Sequence, residues 1–350
     1  MSQLRWELDE TEQLTRCHDR ASGLRAVIAI DDTTLGPGLG GVRWQAYPDE
    51  QAAEHEARRL ARAMTLKNAC ADLPYGGAKS VLVKDPVDRD HESGAPAHRR
   101  DQLRAFGKFV DRLGGAYIPG VDMGTSVEDL AVIGMIAGEV SCDHEDPSPW
   151  TALGVFAGIR AALSCAGRDL PGAHVVVQGA GHVGADLARR LAMAGCRISV
   201  ADVDSIRARA VAHEVGGRVV DPEAVVTTPC DVLAPCALAK VIDRSTVDAL
   251  QCRIVAGGAN DVLATHGVAE LLDQRGIVYV PDFVINAGGV IQIHARRSSW
   301  GADKLEGSLL AIGDRVSRIV TEADRTARTP VTVAEEMASD RLGRSIALLT

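Results

Sequence analysis

Two groups of residues in this chain have types and spacings that suit chemistry. The first is Gly179-Ala180-Gly181-His182-Val183-Gly184, between the apolar run His174–Gln178 and a helical pattern. Glycines at this spacing suit a dinucleotide. The first permits a tight turn, the second lets backbone approach a pyrophosphate, and the third lets helix and strand pack closely. The helix start adds free N–H groups and a partial positive charge. Asp202 closes the next apolar run, Arg197–Ala201, where a carboxylate accepts ribose hydroxyls and repels a 2′-phosphate. NAD is therefore favoured over NADP, although Arg207 and Arg209 lie close by. A purely structural βα turn is the plainer alternative; strand, glycines, helix and acid together argue against it.

The second group is Lys67 and Lys79. Lys67 ends a helical stripe of Ala53, Ala57, Leu60, Ala61 and Met64, whereas Lys79 follows Gly76-Gly77 and heads the short strand Ser80–Val83. Partial burial disfavours an ammonium, and a second ammonium nearby would lower its pKa further, leaving a neutral amine to act as a base. On spacing alone, two lysines snorkelling from a surface are an equal reading. Other clusters read blandly. Asp143-His144-Glu145-Asp146 is an acidic loop before a Pro turn, and Arg58, Arg59 and Arg62 form the polar face of a helix. Eight cysteines show no C-x-x-C pair and no zinc spacing, so no metal site and reduced thiols are expected, with a nucleophilic cysteine left open.

Regular elements must position these groups. Leu24–Ile30 reads as a strand, and a helix begins after the N-cap Asp49. Residues 88–100 read as an exposed loop; Leu103, Phe106, Val110 and Leu113 mark a helix stopped by Gly114-Gly115. Ser126-Val-Glu-Asp129 starts another helix with a capping-box pattern. After Asp146-Pro-Ser-Pro149 a helix spans about 151–166. Strand–helix alternation follows, with short apolar runs at 231–233, 253–256 and 277–280, which implies a parallel sheet with right-handed crossovers. The last fifty residues are helical, with Leu309, Ile312, Val316, Ile319 and Val320 on one stripe. The expected class is α/β in two domains with a cleft between them. Residues 1–148 would bind substrate and oligomerise, 149–325 would form a Rossmann-like doubly wound NAD domain, and 326–350 would pack back on the first domain.

Composition agrees with a soluble globular chain. The 350 residues are 46% hydrophobic and carry a formal net charge of -9, without a basic block of the kind that binds nucleic acid. No apolar run reaches the roughly 18 residues of a membrane span. The amino end lacks the layout of a secretion signal, so a cytoplasmic location is expected.

Further segments, in order along the chain, carry a resemblance. They are Leu39-Gly-Gly-Val-Arg43, Met64-Thr-Leu-Lys67-Asn68, Gly76-Gly-Ala-Lys79-Ser-Val81, Val121-Asp122-Met-Gly-Thr125, Ala234-Pro-Cys-Ala237, Gly257-Gly-Ala-Asn260 and Pro281-Asp-Phe-Val-Ile-Asn286-Ala-Gly-Gly289. With the glycine loop, they make the chain resemble the glutamate, leucine, phenylalanine and valine dehydrogenase superfamily. The resemblance implies reversible oxidative deamination of an L-amino acid to a 2-oxo acid, ammonia and NADH. It implies that Lys67 holds the substrate carboxylate and that Lys79 is the low-pKa lysine activating water. Asp122 shuttles the amine proton, Asn286 assists at the carboxylate, and Gly40 and Gly41 line its backbone end. Turn roles are the alternative for Asn286 and the glycine pair.

By the same resemblance, Thr151, Cys236, Ala237, Asn260 and Asn286 join the glycine loop and Asp202 around the cofactor. Leu39, Met64, Gly120, Thr151, Val316 and Ile319 line the side-chain pocket. None of these is charged, which disfavours glutamate. Gly120, where a branched-chain enzyme tends to carry Ala, leaves room for a ring and narrowly favours a phenylalanine-like substrate over leucine or valine. Departures are Ala78 in place of a third glycine, a short stretch before Pro149, and Asn260-Asp261 in place of paired asparagines. A non-catalytic NAD-binding homologue and a glutamate-dehydrogenase-like enzyme are the competing readings. The family also implies a homo-oligomer, dimer or larger, for which an exposed amino-terminal strand offers an edge.

Overall fold

The computed structural model describes residues 11–84, 96–141, 146–237 and 239–343. The chain divides into two compact units, Met1–Glu145 and Asp146–Thr350. In the first, five strands form one sheet: β1 Gln13–Asp19, β2 Leu24–Asp32, β3 Gly38–Gln45, β4 Gly76–Val83 and β5 Tyr117–Val121, in the order β1-β2-β4-β3-β5. β1 and β2 pair antiparallel, as do β2 and β4, whereas β3 pairs parallel with both β4 and β5. Helix α1 (Glu50–Cys70) connects β3 to β4, α2 (Pro96–Asp111) connects β4 to β5, and α3 (Val127–Ala137) follows.

Period-two alternation divides the side chains of this sheet between two cores. Val27, Ala29 and Val81 meet Ala53, Ala57 and Ala61 of α1, where small side chains let the helix lie close to the strands. Ala26, Ile28, Ile30, Val42, Ala78 and Leu82 face the other way, onto Leu103 and Phe106 of α2 and Leu130 and Ile133 of α3. Lys79, one residue from Ala78, therefore belongs to the α1 face. The methyl of Ala78 points away from the lysine and fills apolar space. Asp49 caps α1, its Oδ1 accepting from Ala52 N at 2.8 Å, and Ser126 with Asp129 forms the expected capping box on α3.

The second unit holds an all-parallel sheet in the order β11-β10-β9-β6-β7-β8. Its strands are β6 His174–Gln178, β7 Arg197–Ala201, β8 Arg218–Val219, β9 Val232–Pro235, β10 Ile254–Val255 and β11 Val278–Tyr279. This is the order of a doubly wound dinucleotide fold, winding outward in both directions from β6, so that a switch point lies between β6 and β9. Helices α4 Ser148–Cys165, α5 His182–Met193, α6 Ser205–Glu214, α7 Arg244–Val247, α8 Val268–Gln274, α9 Asp282–Ile285, α10 Gly288–Arg297, α11 Ala302–Thr326 and α12 Pro330–Arg341 complete it. The buried stripe of α11 packs along α4, and Val331 of α12 joins the apolar cluster of this sheet. No helix among the described residues is long and apolar enough to cross a membrane.

Several elements differ from the sequence reading. β1, β3 and β5 carried no strong strand signal, because glycine and polar residues interrupt them. Strand β4 starts at Gly76 rather than Ser80. A Cβ at Gly76 would stand 1.7 Å from Asp32 O, and one at Gly77 2.2 Å from Thr65 N, so both glycines serve close backbone packing inside the strand. Residues 96–100, expected in a loop, are helical. Proline suits the first turn, and Arg99 anchors that turn by a forked pair to Asp129 (2.9 and 2.6 Å) while lying 4.0 Å over Trp44. The remainder of that loop and Asp143, His144 and Glu145 of the acidic cluster lie outside the described residues.

Candidate active site

Strand β3 lies between β4 and β5, and the charged groups of the first unit meet over it. Lys79 reaches from β4 and Asp122 from the residue after β5, with Nζ 2.9 Å from Oδ2. They can meet because β3 has no side chain at the crossing. A Cβ on Gly41 would stand 2.7 Å from Asp122 Cβ and 3.1 Å from Lys79 Nζ. A third group, Arg43, sits two residues along β3 on the same face and donates from Nε to the same Oδ2 at 2.9 Å. Its Nη1 donates to Glu56 Oε1 of α1 at 2.7 Å.

Burial and neighbouring charge set the protonation of these groups. Lys79 is 7% exposed. Desolvation holds its pKa below the ordinary lysine range against the pull of Asp122, and the Arg43 cation adds to the depression. Burial alone would raise Asp122, but the Lys79 and Arg43 cations outweigh it and hold the carboxyl at about 2. The sheet thus presents an ionised carboxylate beside a buried lysine whose proton is loosely held. Asp122 is fixed through its backbone as well: its N–H donates to Thr125 Oγ1 at 3.1 Å, and that hydroxyl donates to Val42 O at 2.8 Å.

In the second unit the three glycines of the loop after β6 have separate steric reasons. Gly179 has φ +102, a left-handed conformation that an L side chain rarely adopts, and packs against Ala237. A Cβ on Gly184 would lie 1.9 Å from Gly179 O, whereas one on Gly181 would meet nothing within 4 Å. Gly181 caps α5 without any side-chain hydrogen bond. Asp202 is held by Ala180 N (2.7 Å, to Oδ2) and Asp204 N (2.8 Å, to Oδ1), with Arg207 Nη1 3.9 Å away.

Two family models match the chain: Glu/Leu/Phe/Val dehydrogenase, dimerisation domain, over residues 11–138, and Glutamate/Leucine/Phenylalanine/Valine dehydrogenase over residues 201–345. The chain is 38% identical to a leucine dehydrogenase of Thermoactinomyces intermedius, covering 95% of this chain and 90% of that protein. It is 37% identical to a valine dehydrogenase of Streptomyces virginiae, covering 95% and 93%. The chain belongs to the Glu/Leu/Phe/Val dehydrogenase family. The crystal structure of L-tryptophan dehydrogenase from Nostoc punctiforme superposes with a TM-score of 0.83 at 36% identity, covering 95% of this chain and 96% of that one. As a member of this family the protein is an amino-acid dehydrogenase, an oxidoreductase.

Around this family site the structure distributes the sequence-predicted residues as follows. Lys79, Asp122, Gly40 and Gly41 come together on the first sheet. Gly40 is the point where Ala78 O passes closest, 1.7 Å from a would-be Cβ, with Met64 Cγ at 3.3 Å. Lys67 lies half-buried in the last turn of α1, and Gly120 is buried on β5. Gly179, Ala180, Val183, Cys236, Ala237, Asn260 and Asn286 converge where the loops after β6, β9 and β10 meet. Asn286 Nδ2 donates to Asn260 Oδ1 at 2.8 Å and to Ala259 O at 3.2 Å.

The other predicted residues have the following surroundings. Asn286 Oδ1, an acceptor, is buried and has no hydrogen-bond partner among the described residues. His182 is exposed, and its Nδ1–H donates to Asp146 Oδ2 at 2.6 Å. Thr151 bonds Pro147 O in the first turn of α4. Val316 and Ile319, at 0% and 1% exposure, lie in the buried stripe of α11 that packs along α4. Arg43 and Glu56 were missed as site residues. Arg43 ends the Leu39–Arg43 segment that carries the resemblance, but only the tertiary structure brings Glu56 to it. Burial pushes the Cys17, Cys230 and Cys236 thiols up to about 12, 12 and 11, and Cys196 and Cys252 to about 11, which makes these five poor nucleophiles.

Proposed function

We propose that this dehydrogenase catalyses the NAD-dependent, reversible oxidative deamination of an apolar L-amino acid, phenylalanine-like substrates first, to the 2-oxo acid, ammonia and NADH. The observation that carries the reading is the Lys79–Asp122 contact, 2.9 Å across the bare backbone of Gly41. Lys67 holds the substrate carboxylate by a charge-assisted hydrogen bond. Asp122 takes a proton from the substrate ammonium, breaking N–H and forming O–H, so that Cα of the neutral amine can lose hydride. When Lys79 is neutral, one of the two cations on Oδ2 is gone and the proton affinity of the carboxylate rises accordingly. Lys79 then takes a proton from water as the water oxygen bonds the iminium carbon. Asp122 returns its proton to nitrogen. As the C–N bond breaks and ammonia leaves, the carbinol O–H bond breaks, its electron pair forming C=O and its proton passing to the freed Asp122 carboxylate. Lys79 and Asp122 then release their protons to solvent.

The residues after β6 fit NAD. Open space at Gly181, the uncapped start of α5 and the Asp202 carboxylate suit a diphosphate and a ribose. Val203 and Ile206, 89% and 75% exposed just beyond Asp202, offer an apolar face to an adenine ring. Asn286 Oδ1 suits the N–H2 of the nicotinamide carboxamide. When bound, the nicotinamide accepts the hydride. Asp202 repels a 2′-phosphate, favouring NAD over NADP.

Substrate choice rests on Gly120. A Cβ there would have Ser141 as its nearest neighbour, at 3.6–3.9 Å, so a methyl would fit without clash and its absence keeps that volume open for a ring. Branched-chain substrates are the second reading, favoured by the leucine and valine dehydrogenase relatives. The active species is a homo-oligomer, with β1 at the edge of the first sheet as a pairing surface, acting on free amino acids in the cytoplasm.

Purified protein with NAD and single amino acids, followed by nicotinamide absorbance, tests the whole reading. Turnover with apolar L-amino acids is expected, with kcat/KM highest for L-phenylalanine, and Lys79→Ala should lower kcat by about 10²–10⁴ while NAD binding survives. A clear preference for valine overturns the substrate assignment. The absence of turnover with every amino acid would return the non-catalytic alternative.

A further inference from the structure

We infer that Arg43 is a positioning residue of this site: with Lys79 it occupies Oδ2 of Asp122, so that Oδ1 is the oxygen that exchanges protons with the substrate amine, and Glu56 holds Arg43 to that task. The inference rests on the roles proposed above for Lys79 and Asp122. Its geometry is independent of them. Arg43 Nε and Lys79 Nζ each stand 2.9 Å from the same carboxylate oxygen. Among the described residues no group bonds Oδ1. Arg43 Nη1 is 2.7 Å from Glu56 Oε1, and the other oxygen of Glu56 takes Arg59 through Nε at 3.0 Å and Nη2 at 2.9 Å.

The row Arg59–Glu56–Arg43–Asp122–Lys79 alternates in charge from the α1 surface to the buried lysine. The Arg43, Glu56 and Asp122 side chains are only 16%, 20% and 21% exposed, so their charges are poorly screened. A carboxylate with both oxygens free can rotate and offer either one. One pinned at Oδ2 by two cations presents its other oxygen to the substrate, and such fixing of a proton acceptor contributes directly to rate.

The charges that surround Lys79 come from each packed element. The residue after β5 brings Asp122, and β3 brings Arg43, followed by Tyr47; the Tyr117 hydroxyl bonds Ser80 Oγ on the opposite face. Helix α1 brings Glu56, Arg59 and, in its last turn, Lys67, and β2 brings Asp31, bound to Thr65 Oγ1 and 3.7 Å from Arg62. Within this set Arg43 opposes and Glu56 favours the charged form of Lys79. Neutralising each should therefore move the lysine in opposite directions.

The test compares the full-length wild type with Arg43→Gln, Arg43→Lys and Glu56→Gln, measuring kcat, KM and the pH profile of kcat/KM with NAD and L-phenylalanine or the best amino acid found. Lys79→Ala and Asp122→Asn run alongside. For Arg43→Gln we expect kcat to fall about tenfold or more with a smaller change in KM, and the rising limb of the profile to move to higher pH. Glu56→Gln should move the limb to lower pH. Arg43→Lys should restore the position of the limb but not kcat, because one ammonium replaces charge without the two-point hold. Arg43→Gln with kcat and limb both unchanged overturns the inference, as do losses of kcat in Arg43→Gln and Glu56→Gln with the limb unmoved in both. Should Arg43→Gln fail to fold, limbs of Arg43→Lys and Glu56→Gln that coincide, with kcat of both at the wild-type level, overturn it equally. Retained turnover in Lys79→Ala and Asp122→Asn would instead remove the underlying assignment, whatever Arg43 does.

Discussion

Lys79 and Asp122 each depend on a residue that does no chemistry itself. Gly41 gives them the place where they meet. Gly41→Ala would put a methyl 2.7 Å from Asp122 Cβ, and one of the two side chains must yield. A displacement of about 1 Å at reacting groups costs on the order of 10² in rate, so kcat/KM of Gly41→Ala should fall by about that factor while far-UV circular dichroism stays native. The depressed pKa of Asp122 has a consequence for stability too. The folded carboxyl titrates at about 2, below its unfolded value, so its contribution is present above about pH 4 and is lost as pH falls towards 2. At about 1.4 kcal/mol per pKa unit the displacement amounts to about 2 kcal/mol. The gap in urea stability between wild type and Asp122→Asn should therefore be larger at pH 5 than at pH 3; an unchanged gap would mean that the carboxylate is not held by its cations. Lys79 acts in the opposite sense. Its folded pKa is depressed, so its charged form is a penalty at neutral pH that is relieved as pH rises towards the ordinary lysine range.

Elements succeed or fail here on backbone contact. The loop from β6 into α5 tolerates no side chain at its third glycine, because a Cβ at Gly184 would stand 1.9 Å from Gly179 O. Gly184→Ala should push α5 off the strand end and remove the rise in Tm that NAD gives the wild type, a rise NADP should not produce. Ligand at 100 times its Kd stabilises by about 2.7 kcal/mol, well within what a melting curve resolves. A Gly184→Ala protein stabilised by NAD like the wild type would refute a cofactor site at this loop. Helix α1 shows the complementary case. Its alanines bring it close to the sheet, and that closeness carries Glu56 to Arg43.

At the level of the whole molecule, the two units hold different kinds of sheet. The second is entirely parallel and winds both ways from β6. The first is mixed, with β1 as its antiparallel edge among the described residues, the pairing surface of the proposed oligomer. Light scattering should give a mass at least twice the 37.0 kDa of one chain, and a monomer in the active fraction would dismiss the homo-oligomer.

The sequence by itself determined the features that rest on local pattern. Asp49 and Ser126 announced their helices because capping is a contact within one turn. The strands β6 and β7 and the glycine loop were legible because a parallel, buried strand is an unbroken apolar run and its turn has few solutions. β3 was not legible: its Gly-Leu-Gly-Gly lacks strand propensity and is extended only because β4 and β5 flank it. Only the tertiary structure decided that Arg43 shares a carboxylate oxygen with Lys79, that Glu56 backs it, and that Ala78 turns its methyl to the opposite face. Each depends on strands and a helix distant in the chain arriving side by side, and no periodicity within one segment encodes that meeting.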